Sequence, residues 1–404
     1  MTTYTSPTER LYARAARGGI PIGGTFEISP LCNFKCKMCY IRHTGEQLIA
    51  AGQRLIPWQE WLSLGEACAR EGLLYLLLTG GEPFAYPHFR ELYEGLHDLH
   101  ILLSINTNGS LITPETVSWL RERAPRRINL TLYGASRETY ARVCGNPEGY
   151  DRALRAVKLL REAGIPVVLN LSLIPENQAD MERLVGFAQE QKINIRVNPY
   201  MFPPVRRERE EGDSRFTPAE AASLFWRSRR LTTPPEELER FRRETAAIPE
   251  RAAAEGHFLP HAATDAEGRM DGTDSATQAA AAEPDWGAPD ADLDETTMHM
   301  ACRAGKCTYW VAWDGSMTAC GMTSFPRKVY PFRDGFAESW QQLRASVQSA
   351  AVMAGCNGCG LRQVCHPCVA MLSAETGDVN RRAPYLCSMA EHICRQAGEA
   401  MERT

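Results

Sequence analysis

Three cysteines near the N-terminus are the most chemically informative group in this sequence. Cys32, Cys36 and Cys39 have the spacing C-x3-C-x2-C within SPLCNFKCKMCY. Soft thiolates at such spacing favour zinc or an iron–sulfur cluster. A closed zinc site or a four-iron cluster needs four ligands, so three thiolates leave one coordination position open, as catalytic metal sites do. The group therefore predicts a catalytic metal centre.

A pair of glycines follows the next β-like run of the chain. In TGGEPF, Gly80 and Gly81 precede Glu82 and Pro83. Glycines at a strand end allow the backbone to approach a ligand closely, and the carboxylate of Glu82 is an acceptor for an ammonium group. The alternative is a plain turn between a strand and a helix. Because each motif directly follows a predicted strand, the two together predict one shared site.

Eight more cysteines lie in the C-terminal part of the chain, which has 14 in all. They are Cys302, Cys307, Cys320, Cys356, Cys359, Cys365, Cys368 and Cys387. Eight thiolates make two complete ligand sets for four-iron clusters, and zinc ribbons built from C-x2-C pairs are the alternative. A disulfide framework is typical of small secreted chains, so it does not suit a chain of 404 residues without a secretion signal.

Both N-terminal motifs lie in a region, residues 25–205, where β-like and helical stretches alternate. The β-like runs are rich in Leu, Ile and Val, as buried parallel strands are. They are TFEIS (25–29), LYLLLT (74–79), ILLSINT (101–107), INLTLY (128–133), VVLNLSLI (167–174) and INIRVNPY (193–200). Six βα units in series predict an α/β fold, a partial TIM-like (β/α)6 barrel. The active site of such a barrel lies at the C-terminal ends of its strands.

Composition divides the rest of the chain. Residues 1–24 are an N-terminal extension, residues 206–260 a helical connection, and residues 300–404 the cysteine-rich domain. Residues 261–299 are rich in alanine and acids, which predicts a flexible insertion. The net charge of −4 argues against a nucleic-acid partner. Because no signal peptide or membrane-length apolar run is present, we expect a cytoplasmic protein with no membrane partner.

The N-terminal motifs resemble those of the radical S-adenosylmethionine (SAM) superfamily. The resemblance implies that Cys32, Cys36 and Cys39 hold a [4Fe–4S] cluster whose open iron binds SAM. One electron from the cluster would then cleave SAM to methionine and a 5′-deoxyadenosyl radical. The GGEP segment would bind the SAM amino group. The further SAM contacts that the resemblance implies are Tyr40, Asn106 or Asn108, Thr131, Tyr133, Arg142, Asn170, and Pro199 or Tyr200.

This sequence departs from the family pattern after the fourth predicted strand. Many relatives have a Ser at the position of Thr131 and an Asp at the position of Tyr133. The departure concerns the contacts that the family makes to the SAM ribose and carboxylate. Arg142, with its fixed fork of donors, suits the carboxylate, and a surface arginine is the alternative.

The C-terminal cysteines resemble the SPASM domain, an auxiliary-cluster extension of radical SAM enzymes. By this resemblance, the two auxiliary [4Fe–4S] clusters have the ligand sets Cys302, Cys307, Cys320 and Cys368, and Cys356, Cys359, Cys365 and Cys387. The interval from Cys365 to Cys368 is one residue shorter than in the SPASM pattern. Cys307 completes its cluster, which argues against a substrate binding directly to that cluster.

These resemblances imply the modification of a peptide. Two full auxiliary clusters suggest a path that takes an electron from a substrate radical after hydrogen abstraction, and the radical chemistry belongs to the cofactor. We expect maturation of a ribosomally made peptide, such as thioether crosslinking, with flavodoxin or ferredoxin as reductant. Residues 1–24 are too few for the leader-binding domain that peptide-modifying relatives often have. Either a separate protein binds the leader peptide, or the substrate is recognised otherwise.

Four other functions remain open at this point. They are a small-molecule dehydrogenase or cofactor-biosynthesis enzyme, a peptide epimerase, an anaerobic sulfatase-maturating enzyme, and an electron-transfer protein without catalysis. Sulfatase-maturating relatives have an acidic residue directly after the cysteine that matches Cys320, where this chain has Gly321. The GGEP segment and the six-unit barrel argue against simple electron transfer.

Cys144 is a candidate catalytic residue. It lies in YARVCGNPEGYD, after the fourth predicted strand, and loops at that end of a βα barrel face the active site. A thiol there is a candidate donor of a hydrogen atom to a carbon radical, as in peptide epimerases of the superfamily, or a group that holds a substrate sulfur. The alternative is a buried and inert cysteine.

Overall fold

The computed structural model describes residues 6–41, 43–50, 52–205, 214–260, 300 and 302–401. The predicted insertion at 261–299 lies outside the described residues. The chain divides into two compact units. The barrel unit comprises Tyr4–Arg215 and Cys302–Ala350, and the helical unit comprises Met1–Thr3, Phe216–Ala301 and Ala351–Thr404.

One sheet of eight strands forms the barrel unit. Its strands are β1 (Gly23–Glu27), β2 (Tyr75–Thr79), β3 (Leu102–Thr107), β4 (Arg127–Thr131), β5 (Val167–Ser172), β6 (Asn194–Asn198), β7 (Thr308–Val311) and β8 (Met317–Thr318). Their order is β6-β5-β4-β3-β2-β1-β7-β8, and every pair is parallel except β7–β8. The six predicted parallel strands and the partial barrel are confirmed.

Strands β7 and β8 extend the sheet beyond this prediction. Strand β7 pairs in parallel with β1, so that Thr308 lies opposite Gly23 and Val311 opposite Phe26. The predicted cysteine-rich domain at 300–404 is therefore divided: its part up to Ala350 packs with the barrel, because its first strand completes the barrel sheet.

Helices cover one face of the sheet and build the helical unit. In the barrel unit these are α1 (Pro7–Gly18), α2 (Gly45–Ala50), α3 (Trp58–Arg70), α4 (Phe89–Asp98), α5 (Pro114–Glu122), α6 (Arg137–Cys144), α7 (Gly149–Glu162) and α8 (Met181–Glu190). The helical unit begins with α9 (Pro218–Thr232), α10 (Pro235–Ala246) and α11 (Ile248–Ala254). The remaining helices are α12 (Pro331–Asp334) and α13 (Phe336–Ser349) in the barrel unit, and α14 (Arg362–Cys365), α15 (Val369–Thr376) and α16 (Pro384–Met401) in the helical unit.

The two faces of the barrel sheet differ in chemistry, since successive residues of a strand point to opposite faces. The face toward the helices is apolar. Phe26 of β1 packs against Trp61 of α3 with 5.0 Å between ring centroids, and Ile105 and Leu130 are fully buried. The opposite face, which we call the lumen, is mostly polar. Its residues include Thr25, Glu27, Ser104, Asn106, Asn129, Thr131, Asn170 and Arg196.

The helical unit has an apolar core of its own. Trp226 of α9 packs with Ile393 and Ala397 of α16, and its indole N–H donates to the carbonyl of Ile393 (3.0 Å). None of the helices in the described part of the chain combines the length and the apolar character that crossing a membrane requires.

Candidate active site

The first three cysteines lie in a loop after β1, which we call the cysteine loop (residues 32–39). Its backbone rests on the C-terminal end of α6: the N–H of Lys35 donates to the carbonyl of Cys144 (2.8 Å), and the N–H of Lys37 to that of Val143 (3.0 Å). The last carbonyls of a helix have no partner within it. The N–H groups of the cysteine loop therefore provide hydrogen-bond donors for the last carbonyls of α6.

The thiols of the cysteine loop are influenced by one another and by the GGEP segment. Burial raises the pKa of Cys32 to about 12, and an N–H bond from Phe34 to its Sγ (3.4 Å) acts against this. The charges of Glu82, Cys36 and Cys39 contribute to this raised pKa. Metal ligation requires thiolates, so binding here would release protons. A set of three thiols fits an iron–sulfur cluster with one iron left open.

Among the described residues, no group of three or more His, Cys, Asp or Glu side chains converges as the ligands of a single metal ion would. In a four-iron cluster each thiolate binds a different iron, so its ligands surround the cluster instead of meeting at one point.

The GGEP segment lies against the chain that leads into the cysteine loop. The N–H of Gly81 donates to the carbonyl of Ser29 (2.7 Å), and the N–H of Glu82 to that of Leu31 (2.9 Å). A Cβ at Gly80 would lie 2.4 Å from the Ser29 oxygen, and one at Gly81 would lie 2.2 Å from the Leu31 oxygen. The glycines thus permit a close approach to the chain's own backbone. That the segment also binds SAM remains a prediction.

Glu82 is fully buried, and its carboxylate joins two loops. Oε1 accepts from the hydroxyl of Thr107 (2.7 Å) and from the N–H of Phe84 (3.2 Å), and Oε2 accepts from the N–H of Asn108 (2.8 Å). Burial raises the pKa of Glu82 to about 7, although these hydrogen bonds lower it. The sequence suggested the Glu82 carboxylate as an acceptor for an ammonium group. In the structure this carboxylate instead accepts hydrogen bonds from the chain itself, and two of the donors lie at the end of β3.

Asn108 extends this network to the first cysteine. Its Nδ2 donates to Oδ1 of Asn33 (2.9 Å) and to Sγ of Cys32 (3.7 Å). Nδ2 of Asn33 donates to the hydroxyl of Ser110 (2.8 Å). Ser110 in turn donates to Oδ1 of Asn108 through its N–H (2.9 Å) and its hydroxyl (2.6 Å). Of the two predicted asparagines, Asn108 is thus the one that positions the cysteine loop.

Other predicted SAM contacts lie in the lumen. Asn106 accepts from Nδ2 of Asn129 on the neighbouring strand (2.8 Å). Thr131 and Asn170 are opposite each other in the β4–β5 register, and both are half-buried. The structure therefore gathers Asn106, Thr131 and Asn170 on one polar face.

Arg142 lies on the last turn of α6, is exposed, and contacts its own unit. Its Nη2 donates to the hydroxyl of Thr139 (3.1 Å) and to the carbonyl of Glu176 (3.4 Å). The carboxylate of Glu176 accepts from Nζ of Lys37 (2.7 Å) and from the hydroxyl of Ser214 (2.6 Å). Burial acts to raise the pKa of Glu176, but these bonds outweigh it and lower the pKa. The loop after β5 thereby holds the cysteine loop.

The remaining predicted contacts are aromatic or proline residues. Tyr40 is half-buried directly after Cys39, and Pro83 and Pro199 are buried. Tyr200 is 7% exposed, and the guanidinium of Arg215 lies 5.6 Å from its ring centroid. Tyr200 is thus part of the packing after β6, and its contact with SAM remains a prediction.

Cys144 is fully buried, and its thiol donates to the carbonyl of Tyr140 one helical turn earlier (3.2 Å). This placement agrees with the buried and inert alternative. A catalytic role for Cys144 remains a hypothesis.

Sequence reasoning missed several residues that build the site. Thr107, Asn33 and Ser110 connect the GGEP segment to the cysteine loop, and Lys37 with Glu176 closes the loop on the other side. The available signal was the run of polar residues in INTNGS, which spans the end of β3 and the three residues that follow it. Which of its side chains face the cysteines depends on the neighbouring strands.

The barrel unit contains three of the C-terminal cysteines. Cys307 directly precedes β7, where burial raises the pKa of its thiol to about 11. Thr318 of β8 lies opposite Trp310 of β7, and Cys320 follows two residues later in a turn that is bridged to Thr323. Cys302 contributes to the charge around Cys307. Cys302 and Cys307 are therefore neighbours just before β7.

The other five cysteines lie in the helical unit. Burial raises the pKa of Cys365, and the charges of the other four act in the same direction. These four are Cys387, Cys356, Cys359 and Cys368. Sγ of Cys368 accepts the N–H of Met371 at the start of α15 (3.4 Å). The five thiols are thus neighbours, and their division between two clusters remains a prediction.

Comparison with known proteins defines the class of the barrel. Residues 26–188 match the model of the Radical SAM superfamily, so the chain contains a radical SAM domain.

Individual relatives match over a similar length of chain. The AdoMet-dependent heme synthase of Methanosarcina barkeri is 28% identical over 165 residues, which are 41% of this chain and 46% of that protein. The PqqA peptide cyclase of Ruegeria pomeroyi is 27% identical over 170 residues, 42% of this chain and 44% of that protein. The chain therefore spans less than half the length of these curated relatives.

Similarity of structure extends further. The crystal structure of Streptococcus suis SuiB bound to the precursor peptide SuiA superposes with a TM-score of 0.58 at 18% identity, covering 95% of this chain and 82% of that chain. At this identity the likeness is one of fold.

Proposed function

We propose that the protein is a radical SAM enzyme that abstracts a hydrogen atom from a peptide and matures a ribosomally made peptide, for example by thioether crosslinking. One observation carries this proposal: hydrogen bonds from the GGEP segment and β3 hold a three-thiol loop at the C-terminal ends of the strands. Similarity to a peptide cyclase, and to the fold of a protein whose structure contains a precursor peptide, supports a peptide substrate.

Cys32, Cys36 and Cys39 would hold a [4Fe–4S] cluster that binds SAM, and their thiols fit such a group. When bound, the cluster supplies one electron for the cleavage of SAM to methionine and a 5′-deoxyadenosyl radical. The N–H of Phe34 and the amide of Asn108 stabilise the thiolate form of Cys32 by donating to its sulfur.

The eight C-terminal cysteines would hold two auxiliary [4Fe–4S] clusters. We propose the ligand sets expected from the SPASM pattern, with the auxiliary clusters accepting an electron from the substrate radical. A flavodoxin or ferredoxin would reduce the cluster of the cysteine loop. A separate protein would bind a leader peptide if the substrate has one.

A second candidate is radical chemistry on a small molecule. The AdoMet-dependent heme synthase is 28% identical in the matched region. The polar side chains of the lumen, such as Asn106, Thr131 and Asn170, could hydrogen-bond a small polar substrate as well as a peptide segment. Both candidate functions require the cleavage of SAM. They differ in the substrate, a peptide or a small molecule, from which the hydrogen atom is transferred to give 5′-deoxyadenosine.

The test begins with anaerobic reconstitution with iron and sulfide. We expect about twelve irons per chain, from three four-iron clusters, and 5′-deoxyadenosine when SAM and a strong reductant are added. Replacing Cys32, Cys36 and Cys39 together by Ala should remove about four irons and abolish cleavage. The matched control is Cys68→Ala, because Cys68 is fully buried in α3.

Substrate class is tested with deuterated peptides encoded beside the gene. Deuterium in 5′-deoxyadenosine and a peptide lighter by two hydrogen atoms would support crosslinking. Zinc in place of iron, or S-adenosylhomocysteine as the only product of SAM, would overturn the proposed function.

A further inference from the structure

Trp310 is a large apolar residue on the mostly polar face of the barrel sheet. The preceding residue of β7, Tyr309, packs on the side of the helices, with 4.9 Å between its ring centroid and that of Phe336 in α13. Successive residues of a strand point to opposite faces, so Trp310 is directed into the lumen. Its register partner on β1 is Thr25, which belongs to the same face. Because Trp310 is only half-buried, part of its aromatic surface is open on this face.

Gly321 lies against the indole of Trp310. A Cβ at position 321 would be 2.5 Å from both Cδ2 and Cε2 of Trp310, and 2.7 Å from Cε3. Cδ2 and Cε2 form the bond that the two rings share, so Gly321 covers the middle of the indole. The φ angle of Gly321 lies outside the left-handed region, so the backbone conformation alone does not require glycine here. It is therefore the ring of Trp310 that excludes a side chain at position 321.

The turn that contains Gly321 is fixed on β8. The hydroxyl of Thr318 donates to the carbonyl of Cys320 (3.0 Å), and the N–H of Thr323 donates to the same carbonyl (3.3 Å). Thr318 lies opposite Trp310 in the β7–β8 register, so its side chain is on the same face as the indole. The indole thus lies between β1 and this turn, beside a cysteine that we propose as a cluster ligand.

We propose that Trp310 is a specificity-determining residue whose ring binds an aromatic side chain of the peptide substrate. This inference rests on the proposed function and deepens it, since it requires a peptide in the lumen. Two aromatic rings in contact gain from the burial of apolar surface and, in addition, from their mutual geometry. The acidic residue that sulfatase-maturating relatives have at the position of Gly321 would overlap this ring. A substrate in this lumen therefore meets an aromatic surface in place of a carboxylate.

The experiment measures peptide binding to reconstituted holoenzyme in the presence of SAM and without reductant, so that binding is observed apart from catalysis. The probes are two synthetic pentapeptides, one with Phe between two pairs of glycines and one with Ser in its place. Saturation-transfer-difference NMR gives the dissociation constant of each peptide. The variants are Trp310→Leu, which keeps the apolar bulk and removes the aromatic face, and Trp310→Phe, which keeps a ring. The matched control is Trp58→Leu, because Trp58 is a half-buried tryptophan of α3 whose ring lies 6.5 Å from that of His88, outside the lumen.

We expect the wild type to bind the Phe peptide more tightly than the Ser peptide, and this preference to fall about fivefold in Trp310→Leu, the order expected for the loss of an aromatic pair. Trp310→Phe and Trp58→Leu should retain the preference, and all variants should retain the iron content of the wild type. Equal or undetectable binding of the two peptides by the wild type, or an unchanged preference in Trp310→Leu, would overturn the inference. A loss of iron from Trp310→Leu, or the same fall in Trp58→Leu, would overturn it as well, since the ring would then act on the structure and not on the substrate. Failure of the wild type to cleave SAM when reductant is added would instead overturn the proposed function.

Discussion

The cysteine loop and the cysteines of the helical unit are held by different kinds of contact. In the cysteine loop, donors and acceptors from β3, α6 and the GGEP segment hold the backbone and Cys32. In the helical unit, Cys356 and Cys365 lie in a short turn and a four-residue helix, and each thiol has other thiols as its main charged neighbours. The comparison indicates that the protein's own hydrogen bonds hold the cysteine loop in place, whereas the cysteines of the helical unit would be held in place mainly by the metal that they bind.

Removal of iron should therefore affect the two regions very differently. We expect amide hydrogen exchange across 354–368 to accelerate by at least about tenfold in the apoprotein, ~1.4 kcal/mol, because metal binding to such sites contributes directly to folding. Exchange across 32–39 should change less. The measurement is hydrogen–deuterium exchange with mass spectrometry on holo- and apoprotein. Equal acceleration in both regions would contradict the comparison.

A substitution in the network should destabilise the cysteine loop. Glu82→Ala removes the acceptor for Thr107, Phe84 and Asn108, and each buried donor left without a partner costs about 1–3 kcal/mol. We expect the free energy of unfolding to fall by roughly 2–5 kcal/mol, with iron lost first from the cluster at the cysteine loop. Urea unfolding and iron analysis measure the two effects.

Glu82→Gln is the control, since it keeps one acceptor oxygen and should lose less. If Glu82→Ala unfolds like the wild type but no longer binds SAM, the carboxylate acts on the ligand and not on the loop.

The same carboxyl group should make stability depend on pH. Burial raises the pKa of Glu82 in the folded protein to about 7, from an ordinary value of 4.5, so the folded state binds this proton more tightly than the unfolded chain. The stability that this proton contributes is present below about pH 4.5 and is lost as the pH rises to about 7. At ~1.36 kcal/mol per pKa unit the loss amounts to about 3 kcal/mol.

Unfolding of wild-type apoprotein and Glu82→Gln should be compared at pH 5 and pH 8. Gln does not ionise, so only the wild type should lose this part of the free energy of unfolding between pH 5 and pH 8. Parallel pH profiles of the two proteins would show that Glu82 does not titrate in this range.

The smallest effect is expected at Cys144. Its thiol is fully buried and bonded to the carbonyl of Tyr140, so Cys144→Ala should cost about 1 kcal/mol of stability and leave SAM cleavage and product formation unchanged. The assay is product analysis and deuterium uptake from solvent, with Cys68→Ala as the matched buried-cysteine control. Loss of product with continued SAM cleavage in Cys144→Ala alone would support the catalytic hypothesis.

Much of the barrel could be predicted from local sequence. Apolar runs such as YLLLT of β2 are typical of strands buried in parallel sheets, and the predicted strands agree with the observed ones to within about two residues at most ends. Strand β7 was missed because it has only four residues and lies far from its partner β1 in the sequence. A strand that forms through long-range pairing leaves little local signal.

The site was less predictable than the barrel. The residue types marked Glu82 as an acceptor, but whether a carboxylate faces a ligand or the chain depends on which donors the next strand brings near. Here β3 brings Thr107 and Asn108. Likewise, Tyr133 has an ordinary sequence context, and its ring contact with Phe34 of the cysteine loop follows only from the packing of that loop on α6.

The pairing of β1 with β7 has a consequence for synthesis of the chain. Gly23 and its partner Thr308 are 285 positions apart in the sequence, and ribosomes add ~5–20 residues per second. One edge of β1 therefore remains unpaired for roughly 15–60 s after β1 is translated, until β7 has been synthesised. Exposed strand edges are sites of incorrect pairing, so slow translation, or a chaperone that covers nascent β1, should influence the yield of folded protein.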